Sequence, residues 1–354
     1  MASVAEYGRR ARERLPLAIW DYIAGGAGDE LTVAANQDAL LRLRLRPRVL
    51  VDVARRDMGT ALLGRRVRAP VAVAPMAYHR LAHPEGETAT ARAAGAEGLA
   101  VAVSTFASCT IEDIAAAATG PVWFQVYCFR DRAITADLVR RAEEAGCEAM
   151  VLTVDMPVMA RRARDARNRF ALPATVTAAN LPVMTGHPRA TSGGTTIAEL
   201  SRQLVDPSLT WDVLDWMRDV TRLPIVLKGI LTSEDAALAV SGGADGVLVS
   251  NHGGRQLDGA VAAVDALAPI VDEVAGACEV YVDGGMRRGV DVLKALALGA
   301  RAVLVGRPVL WGLAVDGAAG ARAVLQLLAD ELDEAMALCG CQDLAAIGRQ
   351  LLQR

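Results

Sequence analysis

The sequence predicts a single α/β domain folded as a closed (β/α)8 TIM barrel, and three observations carry that expectation. Short, β-rich apolar runs recur eight times along the 354 residues. The segments between them have helical spacing and glycine stops, as in TADLVRRAEEAG and GVDVLKALALGA. Each run ends in a residue able to touch a ligand, as strands do at the carboxyl-terminal mouth of such a barrel. Runs that are apolar throughout are buried on both faces, as in a parallel sheet covered by helices. An open, doubly wound sheet is the rival, but no G-x-G-x-x-G follows any run.

Residues 1–68 read as a helical lead-in, ARERLPLAIWDYIAGGAGDE, and then an irregular stretch. The first run, 70–74, ends in Pro75, Met76 and Ala77, and the second, 99–103, in Ser104. The third, 122–124, leads to Gln125 and Tyr127, and the fourth, 149–152, to Thr153 and Asp155. Residues 157–222 then form a connection far longer than the others, rich in Thr, Gly and Pro, with a helix expected from about Trp211. Long loops at a barrel mouth often act as lids, and a mobile lid is the expectation here. The fifth run, 224–227, ends in Lys228, and the sixth, 246–249, in Ser250 and His252. The seventh, 279–282, ends in Asp283, Gly284 and Gly285, and the eighth, 302–305, in Gly306 and Arg307.

Composition narrows the function classes. With 53% apolar and 22% charged residues, a large core forms and disorder is not expected. A net charge of −3 offers no basic footprint for nucleic acid. The charged N-terminal stretch lacks the apolar core of a signal peptide, no run of eighteen apolar residues occurs, and LLQR is no peroxisomal address. A cytoplasmic protein without stable membrane association is expected. The six scattered cysteines then read as reduced thiols. No histidine pair has metal-ligand spacing, so no metal is expected. His83 reads as structural at a helix start, His187 as solvated in the long loop, and His79 is ambiguous.

The chemistry-bearing residues fall into three groups. Asp283-Gly-Gly-Met-Arg287 and Gly306-Arg307 place backbone N–H groups and two guanidinium groups after strands seven and eight, the usual phosphate position of this fold. Lys228 is either a Schiff-base nucleophile or a fixed cation beside an anionic group. His252 and Arg255, in SNHGGRQLDG, combine a base with a carboxylate fork, which suits a substrate whose acid group adjoins the carbon being oxidised. Asp155 is placed to orient the imidazole.

SNHGGRQLD, AHPEGE, VDGGMRRGVDVLKALALGA, LPIVLKGI and WDYIAGGAGDE resemble the FMN-dependent L-2-hydroxy-acid oxidases and dehydrogenases, from about residue 5 to the C-terminus. The resemblance implies FMN across the barrel mouth. Pro75, Met76, Ala77, Ser104, Gln125, Thr153 and Ser250 would touch its ring or ribityl chain, with Lys228 as a cation beside the ring. Asp283, Gly284, Gly285, Arg287, Gly306 and Arg307 would hold the ribityl chain and phosphate. Tyr22, Arg162 and Arg255 would bind the substrate carboxylate, Tyr127 would hydrogen-bond the substrate, and His252 would be the base, paired with Asp155. The implied reaction takes a 2-hydroxy acid to a 2-oxo acid, in a homo-oligomer that is commonly a tetramer. Ala77, glycine in some membrane-associated mandelate dehydrogenases, and the lack of an apolar insertion in the long loop point to dioxygen as electron acceptor. Phe106, tryptophan in glycolate oxidase, with Tyr78, Met156 and Met159, points to an aryl substrate such as mandelate or 4-hydroxymandelate.

Overall fold

The computed structural model describes residues 1–181 and 202–353. Eight parallel strands close into a barrel: β1 (Val71–Val73), β2 (Ala100–Ser104), β3 (Val122–Val126), β4 (Ala149–Thr153), β5 (Ile225–Ile230), β6 (Gly246–Val249), β7 (Glu279–Asp283) and β8 (Ala302–Val305). Each pairs with its neighbour in sequence, and β8 returns to β1 through Val303 beside Val71. The eight expected runs are therefore the eight barrel strands. Several extend further than their apolar character suggests, so that Ser104, Gln125, Thr153, Lys228 and Asp283 lie within strands rather than beyond them.

The core has two compartments. Between strands and outer helices, alternate strand residues such as Val73, Val103, Phe124 and Leu152 are buried against the helices. Inside the barrel the facing residues are small on β1 and β2 (Ala72, Ala100, Ala102), leaving room for Trp123 and Tyr281, whose rings meet edge to face at 5.4 Å. That exchange of small for large keeps a barrel interior filled.

The lead-in is more structured than expected. Pro16 interrupts it, giving helices Val4–Arg14 and Leu17–Ala24, followed by a third, Leu31–Arg42. The irregular stretch holds a hairpin, Thr60–Leu62 with Arg65–Val67, turning through Leu63 and Gly64 at φ 48° and 80°. Such left-handed pairs match strand twist. Its Leu62 and Val67 pack into the interior cluster and close the barrel floor. Arg44–Leu45 pairs with Leu352–Gln353, joining the lead-in to the far end of the chain.

In the long connection, helices Ala163–Arg167 and Val213–Val220 are present, the second two residues later than expected. The middle of the expected lid, including His187, lies outside the described residues. Helix Arg307–Cys339 is long and apolar enough to cross a membrane by length and composition, but over half of its most apolar stretch is buried within the fold. It breaks at Asp316 and Gly317, and it packs against helices Val4–Arg14, Gly86–Ala96 and Gly289–Ala297.

Candidate active site

The carboxyl ends of the strands surround a cleft with about 1120 Å³ of open space, its solvent mouth included. At its centre is the loop after β6. His252, Gly253 and Gly254 have φ of 60°, 64° and 74°, three successive left-handed residues. For histidine that conformation is uncommon and needs support. Support comes from Ser250, whose Oγ accepts from the His252 N–H at 3.0 Å, and from Asp155, whose Oδ1 is 2.8 Å from Nδ1. Gly254 has no room for a side chain, since a Cβ would lie 2.7 Å from the Val33 backbone nitrogen.

This geometry defines the base. With Asp155 accepting from Nδ1, the proton-free nitrogen is Nε2, which faces the Tyr127 hydroxyl at 3.5 Å. Burial pulls the imidazole below its usual pKa, and Asp155 offsets only part of that effect. His252 is therefore neutral and able to accept a proton at neutral pH. Burial alone would raise the Asp155 carboxyl, but His252 and Lys228 outweigh it and hold the group ionised. Gly229, at φ 112° in a register shift of β5, lets this arrangement close, because a Cβ there would lie 2.5 Å from that of Asp155.

Two guanidinium groups adjoin the base. Arg255 donates to the carbonyls of Tyr22 and Gly25 at 2.7 and 2.9 Å and lies 5.1 Å over the Tyr22 ring. Arg162 is buried, its Nε has no partner, and Asp165 is 3.9 Å away. Burial and the charge of Arg255 pull its pKa down to about 10. Two half-buried cations facing one cleft, one with an unmatched Nε donor, form an anion site. Beside it, Phe106 lies 5.5 Å from the Tyr127 ring and 6.3 Å from that of Tyr78, and Met156 and Met159 complete a wall of rings and thioethers.

Next to the base loop, Lys228 Nζ donates to Ser250 Oγ, the hydroxyl that also supports His252, at 2.9 Å and lies 3.6 Å from Asp283. An ammonium paired with a carboxylate and a hydroxyl suits the fixed-cation role of Lys228 rather than that of a Schiff-base nucleophile. Arg287 lies 4.9 Å over the Trp311 ring, and burial pulls it to about 10. Arg307 is drawn well below its ordinary value, by burial first and then by Arg255, Arg287 and Arg162. It also has a second task, donating to the carbonyls of Ile23, Gly25 and Gly253. Of the two nearby helix starts, Gly289–Ala297 is covered by the Glu331 and Asp291 carboxylates, whereas the helix starting at Arg307 has no side-chain cap. An anion at this rim meets the second.

Twenty of the residues singled out in the sequence line this one cleft: Tyr22, Pro75, Met76, Ala77, Tyr78, Ser104, Phe106, Tyr127, Met156, Met159, Arg162, Lys228, His252, Arg255, Asp283, Gly284, Gly285, Arg287, Gly306 and Arg307. Asp155 and Ser250 stand behind it, supporting His252. Gln125 is buried beside Thr105, and Thr153 faces a neighbouring cleft that shares Met156. His79 is buried on Thr90, and His83 packs beside Gly317. Sequence reasoning overlooked Gln256, which donates to the carbonyls of Asp155 and Val158 at 2.9 Å and so ties the loop after β4 to the loop after β6. It stands next to Arg255 in the quoted motif, a signal that was available.

The mouth fits the flavin mononucleotide that the resemblance implies. Asp283 Oδ1, on the wall of the cleft, is a buried polar atom without a partner, and Gln125 Nε2 and Thr153 Oγ1, outside its lining, are two more. Such atoms are costly unless a ligand meets them, and these offer the mixed donors and acceptors that a flavin ring and ribityl chain require. Arg287 and Arg307 supply the phosphate end.

Comparison with known proteins agrees. The family model for FMN-dependent dehydrogenases matches residues 11–354. The chain is 52% identical over 347 residues to a 4-hydroxymandelate oxidase of Amycolatopsis orientalis, covering 98% of this chain and 97% of the relative. It is 50% identical to a peroxisomal (S)-2-hydroxy-acid oxidase of Oryza sativa subsp. japonica, covering 98% and 94%. A crystal structure of mandelate oxidase with (S)-4-hydroxymandelic acid superimposes with a TM-score of 0.94 at 51% identity, covering 100% of this chain and 98% of the other. The chain belongs to the FMN-dependent dehydrogenase family, and its cofactor is FMN.

Proposed function

We propose that the protein is an oxidase of aryl (S)-2-hydroxy acids, taking (S)-mandelate or (S)-4-hydroxymandelate to the 2-oxo acid. The observation that carries this is the Arg162 side chain, buried with its Nε donor unmatched, beside Arg255 and within the electrostatic reach of a neutral His252. The two guanidinium groups, with Tyr22, bind the substrate carboxylate. That sets the neighbouring hydroxyl-bearing carbon towards His252 and Tyr127. His252 Nε2 accepts the substrate proton, and Asp155 stabilises the resulting imidazolium through Nδ1–H. Tyr127, whose hydroxyl is held protonated by burial, donates to the substrate oxygen.

Pro75, Met76, Ala77, Ser104, Gln125, Thr153 and Ser250 would hold the flavin ring and ribityl chain. Lys228 would place its cation beside the ring, and Asp283, Gly284, Gly285, Arg287, Gly306 and Arg307 would hold the ribityl chain and phosphate. FMN, when bound, would supply the two-electron acceptor, with dioxygen as the final oxidant and hydrogen peroxide as its product.

Phe106, Tyr78, Met156 and Met159 support an aryl substrate, since thioethers and ring edges pack well on an aromatic ring. The 4-hydroxymandelate oxidase relative supports the same choice. The proposal extends to a cytoplasmic homotetramer, the assembly common in the family, which sedimentation checks.

Anaerobic mixing with (S)-mandelate, (S)-4-hydroxymandelate, glycolate or L-lactate, followed at roughly 450 nm where the cofactor itself absorbs, tests the reaction. Fast bleaching by the aryl acids, with colour and peroxide returning in air, supports it. Bleaching by short acids alone overturns the aryl assignment, and colour that returns only with a quinone overturns the oxidase.

A further inference from the structure

The lead-in helix Leu31–Arg42 touches both loops that the proposed chemistry depends on, and one residue, through its side chain and its carbonyl, meets both. Asn36 is buried and exchanges two hydrogen bonds with Asn251, Nδ2 to Oδ1 in each direction at 2.8 Å. The orientation of both amides is fixed by their other partners. Asn36 Oδ1 also accepts from the Ala263 N–H at 3.1 Å, and Asn251 Oδ1 from the Gly254 N–H at 3.0 Å. Asn251 Nδ2 donates in turn to the Val261 carbonyl at 3.0 Å. Turning either amide over would set donor against donor.

Asn36 is also the surface on which the phosphate loop rests. At Gly284 a Cβ would lie 3.2 Å from Asn36 Nδ2, and at Gly285 it would lie 2.3 Å from the Asn36 carbonyl oxygen. Both glycines have left-handed φ, 93° and 81°. The loop after β7 thus packs its bare backbone on the residue that holds the loop after β6 in its left-handed turn.

We propose that Asn36 is a positioning residue that couples the two ends of the site, so that the loop holding the cofactor phosphate and the loop carrying His252 share one geometry. A fully satisfied buried amide pair has a single low-energy arrangement, and a change at one side displaces the other. Asn36 touches neither reacting group, and it acts through Asn251 and Gly254 on His252 and through Gly284 and Gly285 on the phosphate end. This rests on the reading of His252 as base and of the Gly284 loop as phosphate site.

The test compares Asn36→Ala, Asn251→Ala and the double variant as full-length protein. FMN affinity is measured by flavin fluorescence without substrate, and kcat, KM and the acid limb of the pH profile are measured on the flavin-saturated enzyme. Coupling predicts that Asn36→Ala weakens FMN binding about tenfold and lowers kcat about tenfold while KM moves less than about threefold, as expected for misplacement of a catalytic group. The double variant then loses no more than the worse single variant, because the two amides form one unit. Should Asn36→Ala not fold, Asn36→Ser, which keeps a hydroxyl to accept from Ala263, is measured instead and gives smaller losses in both quantities. Asn36 variants that melt earlier but keep FMN affinity and kcat overturn the proposal. So do losses that multiply in the double variant. FMN affinity is read with no substrate present, so an error in the aryl assignment leaves this readout intact.

Discussion

The barrel rim and the N-terminal lead-in contribute to the same cleft in different currencies. The rim supplies side chains from strand ends: His252, Lys228, Asp155, Asp283 and Arg307. The lead-in supplies mostly backbone. Carbonyls of Tyr22, Ile23 and Gly25 accept from Arg255 and Arg307, and N–H groups of Asp29 and Thr32 donate to Asp258. Strands set positions to within a fraction of an ångström, and a terminal segment docked by its own amides and carbonyls fixes where long, flexible arginines point. Chemistry and aim are thus separable, and substitutions can act on one without the other.

The largest expected effect lies on the chemistry side. His252→Ala removes the proton acceptor and should lower kcat by about 10²- to 10⁴-fold while the flavin stays bound, checked by stopped-flow bleaching and the absorbance of the purified protein. Normal turnover would sink the assignment of the base. Arg162→Met sharpens the contrast between function and stability. It should lower kcat/KM for the hydroxy acid by about 10²-fold, the scale of a lost charge-assisted contact, and leave thermal stability equal or higher. A destabilised variant would show that Arg162 is structural.

The pH profile isolates the setting of the base. Because burial lowers the His252 pKa beneath its ordinary 6.5, the neutral, proton-accepting form persists to lower pH. kcat/KM should therefore fall only as pH drops through that lowered value, with the acid limb below 6.5. Asp155→Asn removes the charge that opposes the shift and should move the limb lower still. A limb above 6.5 in the parent enzyme would contradict the geometry.

The smallest effect belongs to the aim. Gly254→Ala forces a Cβ against Val33 from a left-handed backbone and should cost about 1–3 kcal/mol, measured by denaturant unfolding of the holoenzyme. Its kcat should fall more than its stability suggests, since His252 shares the turn.

These contrasts also show what could be read from the sequence. All eight strands were legible, because burial on both faces leaves an unbroken apolar run. The mouth was legible because a polar residue closing every run is hard to explain otherwise. In SNHGGRQLDG, His252 and Arg255 carry recognisable chemistry, but Asn251 and Asp258 do not, because their meaning lies in partners 215 and 226 residues away. Hydrogen-bond complementarity across such distances leaves no period in the chain. The floor hairpin was missed for a plainer reason. Leu63-Gly64 is a weak turn signal, and strands of three residues are too short to show alternation.

The crowding of Arg162, Arg255, Arg287 and Arg307 around one cleft has a thermodynamic consequence. Arg307 is lowered first by burial and then by its three cationic neighbours, so these half-buried charges repel one another in the folded state, and a bound dianionic phosphate would relieve that repulsion. Folding and cofactor uptake are thereby linked through mass action. Each tenfold rise in free FMN above its dissociation constant should stabilise the native state by about 1.4 kcal/mol. Cellular flavin supply would then govern how much of this protein survives, as well as how much of it is active.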